Sequence, residues 1–182
     1  MLGLCFFGLI ILLQNELINV IIIITTKEKI MFDKWDKRFM ELAKLVGSWS
    51  SCYKSNRKIG TVVVKDKRVL TTGYNGAPSG IKSCVERQEC IRQKNNIESG
   101  KNAEFCYAVH SEQNAIIQGA KLGISLDGAT LYCTHQPCSM CTRQIINAGI
   151  KRIVYQNPYP DEFSLKLLKE AGVKVEIFPE DN

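Results

Sequence analysis

The sequence predicts an α/β domain of three layers, α/β/α, with helices covering both faces of a mixed, mostly parallel five-stranded sheet. Three observations lead there. After an opening hairpin, short apolar runs alternate with amphipathic helical patterns, the order that joins parallel strands through helices. The 182 residues are 45% hydrophobic and 23% charged, ordinary globular usage with enough apolar side chains for one core. Thirteen Gly, five Pro and the lack of a self-similar period exclude a low-complexity or repeat protein.

The chain opens on two apolar blocks, Leu2 to Leu13 and Val20 to Ile24, divided by Gln14, Asn15, Glu16 and Asn19. Each falls short of the roughly 20 residues of a spanning helix. Leu2, Gly3, Leu4 and Cys5 lack the basic start of a secretory signal. Residues 1–30 therefore read as a hydrophobic extension, with a membrane tether as the other reading. Met31 is the working start of a cytoplasmic domain over 31–182.

From Asp33 to about Ser51, Trp35, Phe39, Leu42, Ala43, Val46 and Trp49 recur at steps of three and four, an amphipathic helix behind an Asp cap. Ile59 to Lys65 and Arg68 to Tyr74 form a hairpin about Asp66-Lys67, which Gly73-Tyr74-Asn75-Gly76-Ala77-Pro78 then breaks. Ser79 to Tyr107 is a polar, cysteine-bearing insert, too long for a bare loop without its own scaffold. Helices follow over His110 to Leu122, Cys138 to Ala148 before Gly149, and Asp161 to Ala171 before Gly172. Between and after them lie the strands Ala129 to Thr134, Lys151 to Tyr155 and Val173 to Phe178.

The net charge of +6 suits an anionic ligand and is too scattered to name a nucleic-acid polymer. Eight cysteines mean either disulfides in an oxidising compartment or thiolate metal ligands in a reducing one. Their spacing decides. His110-Ser111-Glu112 starts one helix and Pro137-Cys138-Ser139-Met140-Cys141 starts another. Either motif alone fits a helix cap, a redox pair or half of a zinc knuckle; together they are the signature of zinc nucleobase deaminases. Cys138 and Cys141 share one face of a first helical turn, where the dipole favours thiolates. With His110 they make three Zn2+ ligands and leave a fourth position open, the catalytic pattern. Glu112, two residues from a ligand, is placed as the proton shuttle and not as a ligand.

The sequence resembles the deoxycytidylate (dCMP) deaminase family of the cytidine deaminase-like superfamily from about Asp33 to Phe178. The residues that carry the likeness are Ile59-Gly60-Thr61-Val62-Val63-Val64, the Gly73 to Pro78 turn, His110-Ser111-Glu112-Gln113-Asn114-Ala115, Pro137 to Cys141, and Asn147-Ala148-Gly149-Ile150-Lys151. Ser111 departs from it, because the family usually has Ala there.

The resemblance implies a cytidine deaminase-like fold and hydrolysis of dCMP to dUMP and ammonia, supplying thymidylate synthesis. His110, Cys138 and Cys141 would hold the catalytic zinc, with Glu112 as proton donor. Asn75 would bind the sugar, unless it merely supplies a left-handed residue in its turn, and Tyr159 would lie near bound substrate, unless it is a rim aromatic. The resemblance further implies a second, structural Zn2+ on Cys52, Cys84, Cys90 and Cys106, although Cys52 lies eight residues before Gly60, a longer spacing than many relatives show. It also implies a homo-oligomer, often a hexamer, activated by dCTP with Mg2+ and inhibited by dTTP. Cys133 reads as core. Two other functions fit the same residues: a deaminase of another cytosine or adenine species, including RNA, and a competence-associated or membrane-tethered zinc-binding protein without turnover.

Overall fold

A computed structural model describes residues 32–98 and 101–180. The hydrophobic extension expected over residues 1–30 lies outside the described residues.

Helix α1 (Lys34–Ser48) begins at Asp33, whose carboxylate accepts from the backbone N–H of Trp35 and Asp36 at 2.7 and 2.8 Å, while Asp36 accepts in return from Asp33 N. It ends three residues before the expected Ser51, because the chain leaves the helical path and Ser50 Oγ donates to the Asn75 carbonyl at 2.8 Å. Its inner face buries Phe39, Met40, Ala43 and Val46, the larger of which contribute about 1.5–3 kcal/mol each.

Strand β1 (Gly60–Lys65) passes directly beneath this helix. A Cβ on Gly60 would lie 2.1 Å from the Ala43 carbonyl oxygen and 2.3 Å from Gly47 N, so only glycine fits the crossing. Asp66 and Lys67 both take positive φ, 51° and 61°, and turn the chain into β2 (Arg68–Tyr74) as expected of a tight hairpin.

The insert carries its own short elements, α2 (Cys84–Arg87) and α3 (Ile91–Lys94). Arg92 fastens it, donating to the carbonyls of Glu98, Lys101 and Asn102 at 2.5, 2.5 and 2.6 Å. Then follow α4 (Ser111–Leu122), β3 (Thr130–His135), α5 (Ser139–Asn147), β4 (Arg152–Asn157), α6 (Glu162–Glu170) and β5 (Lys174–Ile177).

The sheet order is β2-β1-β3-β4-β5. β1 is antiparallel to both neighbours, and β3, β4 and β5 run parallel, so β1 alone opposes the other four strands. The two-residue period sends Val62, Val64, Tyr132 and Val154 to α1, and Val63, Leu131, Cys133, Ile153 and Tyr155 to the face where Ala115 of α4, Ile145 of α5 and Leu168 of α6 pack. This is the expected three-layer arrangement.

On the α1 side, four polar groups close the end of the core. Arg152 Nη1 donates to Asp36 at 2.6 Å and its Nε to Glu176 at 2.5 Å, while Tyr132 Oη donates to Asp36 at 2.7 Å. Burial pushes both carboxyls up, but for Asp36 the bonds from Arg152 and Tyr132, and for Glu176 those from Lys174 and Arg152, outweigh it and leave both lowered.

Candidate active site

The site lies beyond the carboxyl ends of β3 and β4, where α4 and α5 both begin, the edge at which α/β sheets bind ligands. Two contacts hold α4 there. Gly73 of β2 meets its first turn so closely that a Cβ would fall 2.2 Å from the Ser111 carbonyl oxygen and 2.5 Å from Ala115 N. Gly76 and Val109 exchange a pair of backbone hydrogen bonds at 3.2 and 2.9 Å, which fixes the residue before His110.

His110 and Cys138 prove to be the N-caps of α4 and α5, one residue before the helices begin. His110 Nδ1 lies 3.5 Å from the Cys138 sulfur and 3.3 Å from that of Cys141. The three ligand atoms all fall within 4.8 Å of one another. A tetrahedral zinc with bonds of about 2.3 Å to sulfur and about 2.0 Å to nitrogen separates such ligands by about 3.5 Å. The donor set and spacing therefore fit Zn2+. The Cys138 thiol is pulled down to about 4, first by its hydrogen bond with Cys141 and then by His110, against burial; the Cys141 thiol is raised in consequence.

Glu112 is buried at 5% exposure. Burial pushes its carboxyl up, and the opposing pull of His110 does not cancel that. A carboxyl raised in this direction is suited to exchanging protons with a bound molecule. Its Oε2 accepts from Ser111 Oγ at 2.9 Å.

A cavity of about 240 Å³ opens on this cluster, lined by His110, Glu112 and Cys138 together with Asn75 and Tyr159. Asn75 does not have positive φ; its side chain accepts from Ile59 N at 2.8 Å and donates to the Arg57 carbonyl at 2.7 Å. It thus holds the 57–59 segment against the cavity. Tyr159 is half-buried at the rim, and its N–H donates to Gln136 Oε1 at 3.3 Å.

Cys52, Cys90 and Cys106 line the same cavity. Among the described residues, Cys52 and the insert cysteines Cys84, Cys90 and Cys106 do not form a ligand cluster as tight as the His110 group. They are nonetheless neighbours: burial raises the Cys52 and Cys84 thiols, the charges of Cys106 and Cys90 raise each further, and that of Cys52 adds to the rise at Cys84.

Several participants were not singled out by the sequence. Lys54, Arg57 and Arg92 line the cavity and give it positive charge; as isolated bases in polar segments they carry no spacing signal. Asp161, expected as the first residue of a helix, is its N-cap: Ser164 N donates to its Oδ1 at 2.9 Å, and Ser139 N of α5 also donates to its Oδ2 at 2.7 Å. His135 also faces the cavity, its imidazole lowered by burial and then by the charge of Arg57.

Residues 33–157 match the family described as the cytidine and deoxycytidylate deaminase zinc-binding region. The chain belongs to that family. The deoxycytidylate deaminase of Saccharomyces cerevisiae is 38% identical over 167 residues, 85% of this chain and 52% of the yeast protein. That of Mycobacterium phage D29 is 41% identical over 126 residues, 66% of this chain and 93% of the phage protein. The crystal structure of the dCMP deaminase from cyanophage S-TIM5 in complex with dCMP and dUMP superposes with a TM-score of 0.68 at 33% identity, over 81% of this chain and 99% of that one. The chain spans about half the length of the two yeast deaminases it matches, 52% and 45%. Among the described residues, no helix of this family member is long and apolar enough to cross a membrane.

Proposed function

We propose that this chain catalyses the hydrolytic deamination of dCMP to dUMP and ammonia, with residues 31–182 as the catalytic domain, working in the cytoplasm on the route to thymidylate. The observation that carries this reading is the convergence, in one cavity, of the His110–Cys138–Cys141 set, the buried Glu112 carboxylate and the basic side chains Lys54, Arg57 and Arg92. The first two supply the chemistry. The third suits a 5′-phosphate. The dCMP and dUMP complex of the cyanophage relative supports the same substrate.

His110, Cys138 and Cys141 would hold Zn2+, which when bound makes a hydroxide nucleophile available at neutral pH. Glu112 takes one proton of the attacking water and passes it to the pyrimidine ring nitrogen N3; it then carries the remaining proton of the hydroxyl added at C4 to the amine, which leaves as ammonia when the C4–N bond breaks. Asn75 keeps the 57–59 wall in place beside the sugar, and Tyr159 closes the rim.

A second Zn2+ on Cys52, Cys84, Cys90 and Cys106 is supported by the mutual proximity of these thiols and by backbone N–H groups of Lys54 and Tyr53 that lower the Cys52 and Cys84 thiols. Four thiolates with no open position would staple the insert. Metal analysis of the purified chain should give two zinc ions per chain, falling to one in Cys90→Ser.

The deciding assay is ammonia release by the full chain from dCMP, deoxycytidine and CMP, each with and without dCTP and Mg2+, and with dTTP. Turnover confined to dCMP is expected. Response to dCTP and dTTP, with a single assembled species by light scattering, would support the homo-oligomer and effector reading. No release from any substrate by folded, zinc-loaded protein overturns the assignment.

A further inference from the structure

Ser111 stands where the resembling family usually has Ala, and its hydroxyl is not idle. The residue is wholly buried, at 0% exposure. Its Oγ donates to Glu112 Oε2 at 2.9 Å, and Thr61 Oγ1 donates to it at 2.8 Å. Thr61, also at 0% exposure, directs the same hydroxyl to the Cys133 sulfur on β3 at 3.2 Å, so its proton is shared between Ser111 and that weaker acceptor. A hydroxyl has one proton. Ser111 Oγ accepts from Thr61, and an ionised carboxylate can only accept, so the Ser111 proton is directed to Glu112. The two residues reach each other because Gly73 lets α4 settle on the sheet edge beside β1.

We propose that Ser111, oriented by Thr61, is a positioning residue for proton transfer: it fixes one oxygen of the Glu112 carboxylate and thereby leaves the other to exchange protons with the substrate. The chain Thr61–Ser111–Glu112 runs in one direction, so each bond polarises the next. This inference rests on the deaminase reading of the same site.

The test compares Ser111→Ala, Thr61→Val and Thr61→Ser with the unaltered full chain. Ser111→Ala should lower kcat about tenfold, the worth of one hydrogen bond to a charged group, with KM for dCMP within about twofold and bound zinc unchanged. Calorimetry adds a readout that a merely structural hydroxyl would not move. Affinity for a 2-pyrimidinone deoxynucleotide, whose hydrated ring mimics the tetrahedral species, should fall by the same factor, while affinity for dUMP stays constant. Thr61→Val should give a smaller loss of the same kind, and Thr61→Ser, which restores the hydroxyl, should recover it. An active wild type with an equally active Ser111→Ala overturns the inference and leaves the deaminase reading standing. Parallel losses of analogue and dUMP affinity also overturn it. A wild type inactive on every nucleotide overturns both.

Discussion

Two buried polar clusters sit on opposite faces of one sheet, and they treat their carboxylates in opposite ways. On the α1 face, Asp36 and Glu176 flank the Arg152 guanidinium and are held below the ordinary carboxylate range despite burial. On the α4 face, Glu112 has no guanidinium, and burial wins over the His110 charge to raise it. Burial is common to both. The cation at bonding distance decides whether a buried acid is a permanent anion that ties elements together or a group ready to change its protonation state. The same fold thus keeps a structural cluster and a chemical one on opposite faces of one sheet, the first at the start of β4 and the second past the end of β3.

The comparison is broken most severely by Glu112→Gln. Turnover of dCMP should fall by at least about 10³-fold, within the range of general acid–base catalysis, while zinc per chain is unchanged. In chelated protein at pH 7, thermal unfolding should come no earlier than in wild type. The sign follows from the raised carboxyl: its ionisation is disfavoured in the folded state, so it subtracts stability as pH rises above the ordinary 4.5, and Gln removes that loss. A variant with near-normal turnover would dismiss Glu112 as the proton shuttle.

Arg152→Met attacks the other face. It removes the guanidinium shared by two buried carboxylates, leaving Asp36 only its Tyr132 and backbone donors and Glu176 only Lys174, and urea unfolding should show a loss of about 3 kcal/mol. Because the cluster lies away from the cavity, kcat/KM for dCMP at 25 °C should remain within about twofold. A large loss of activity in folded protein would mean that the two faces are not independent.

Acid sharpens the contrast further. Asp36 and Glu176 contribute stability that is full above their ordinary values of 3.8 and 4.5 and is lost as pH falls through their lowered folded values. The urea midpoint of the wild type should therefore drop between pH 5 and pH 2 by more than that of Arg152→Met. Equal drops would show that the guanidinium does not set the acid sensitivity. Smallest of all, Tyr132→Phe removes one donor to Asp36 and should cost about 1 kcal/mol in the same unfolding assay, without change in zinc content.

The chemical cluster was legible in the sequence to the extent that its members are local pairs. His110 with Glu112, and Cys138 with Cys141, declare themselves by spacing, and Asp33, Gly149 and Gly172 mark helix ends because capping is a short-range matter; both glycines take positive φ, 78° and 67°. Partnerships across the chain leave no such mark. Arg152 and Asp36 are 116 residues apart, and Ser111 and Thr61 are 50 apart. Ser111 showed in the sequence only as a departure from the family's Ala, because only the packing of α4 on β2 brings Thr61 beneath it. Element edges shifted where tertiary bonds intervene: α1 stops at Ser48 as Ser50 turns to Asn75, and β5 runs Lys174–Ile177 where Val173 to Phe178 was expected. The insert was recognised as needing a scaffold, but the way Arg92 clasps three carbonyls could not be read from a polar stretch.

Asp161 has a mechanical consequence. Its carboxylate caps α5 and α6 at once, its backbone N–H donates to the Tyr159 carbonyl at 2.8 Å, and Gln136 bonds both the Tyr159 N–H and the Asp161 carbonyl. The rim aromatic and the helix start that bears Cys138 are therefore bolted to a common bracket. Swinging Tyr159 outward would strip the first turns of two helices of their acceptor, so this wall of the mouth is stiff and meets an entering molecule as a fixed template.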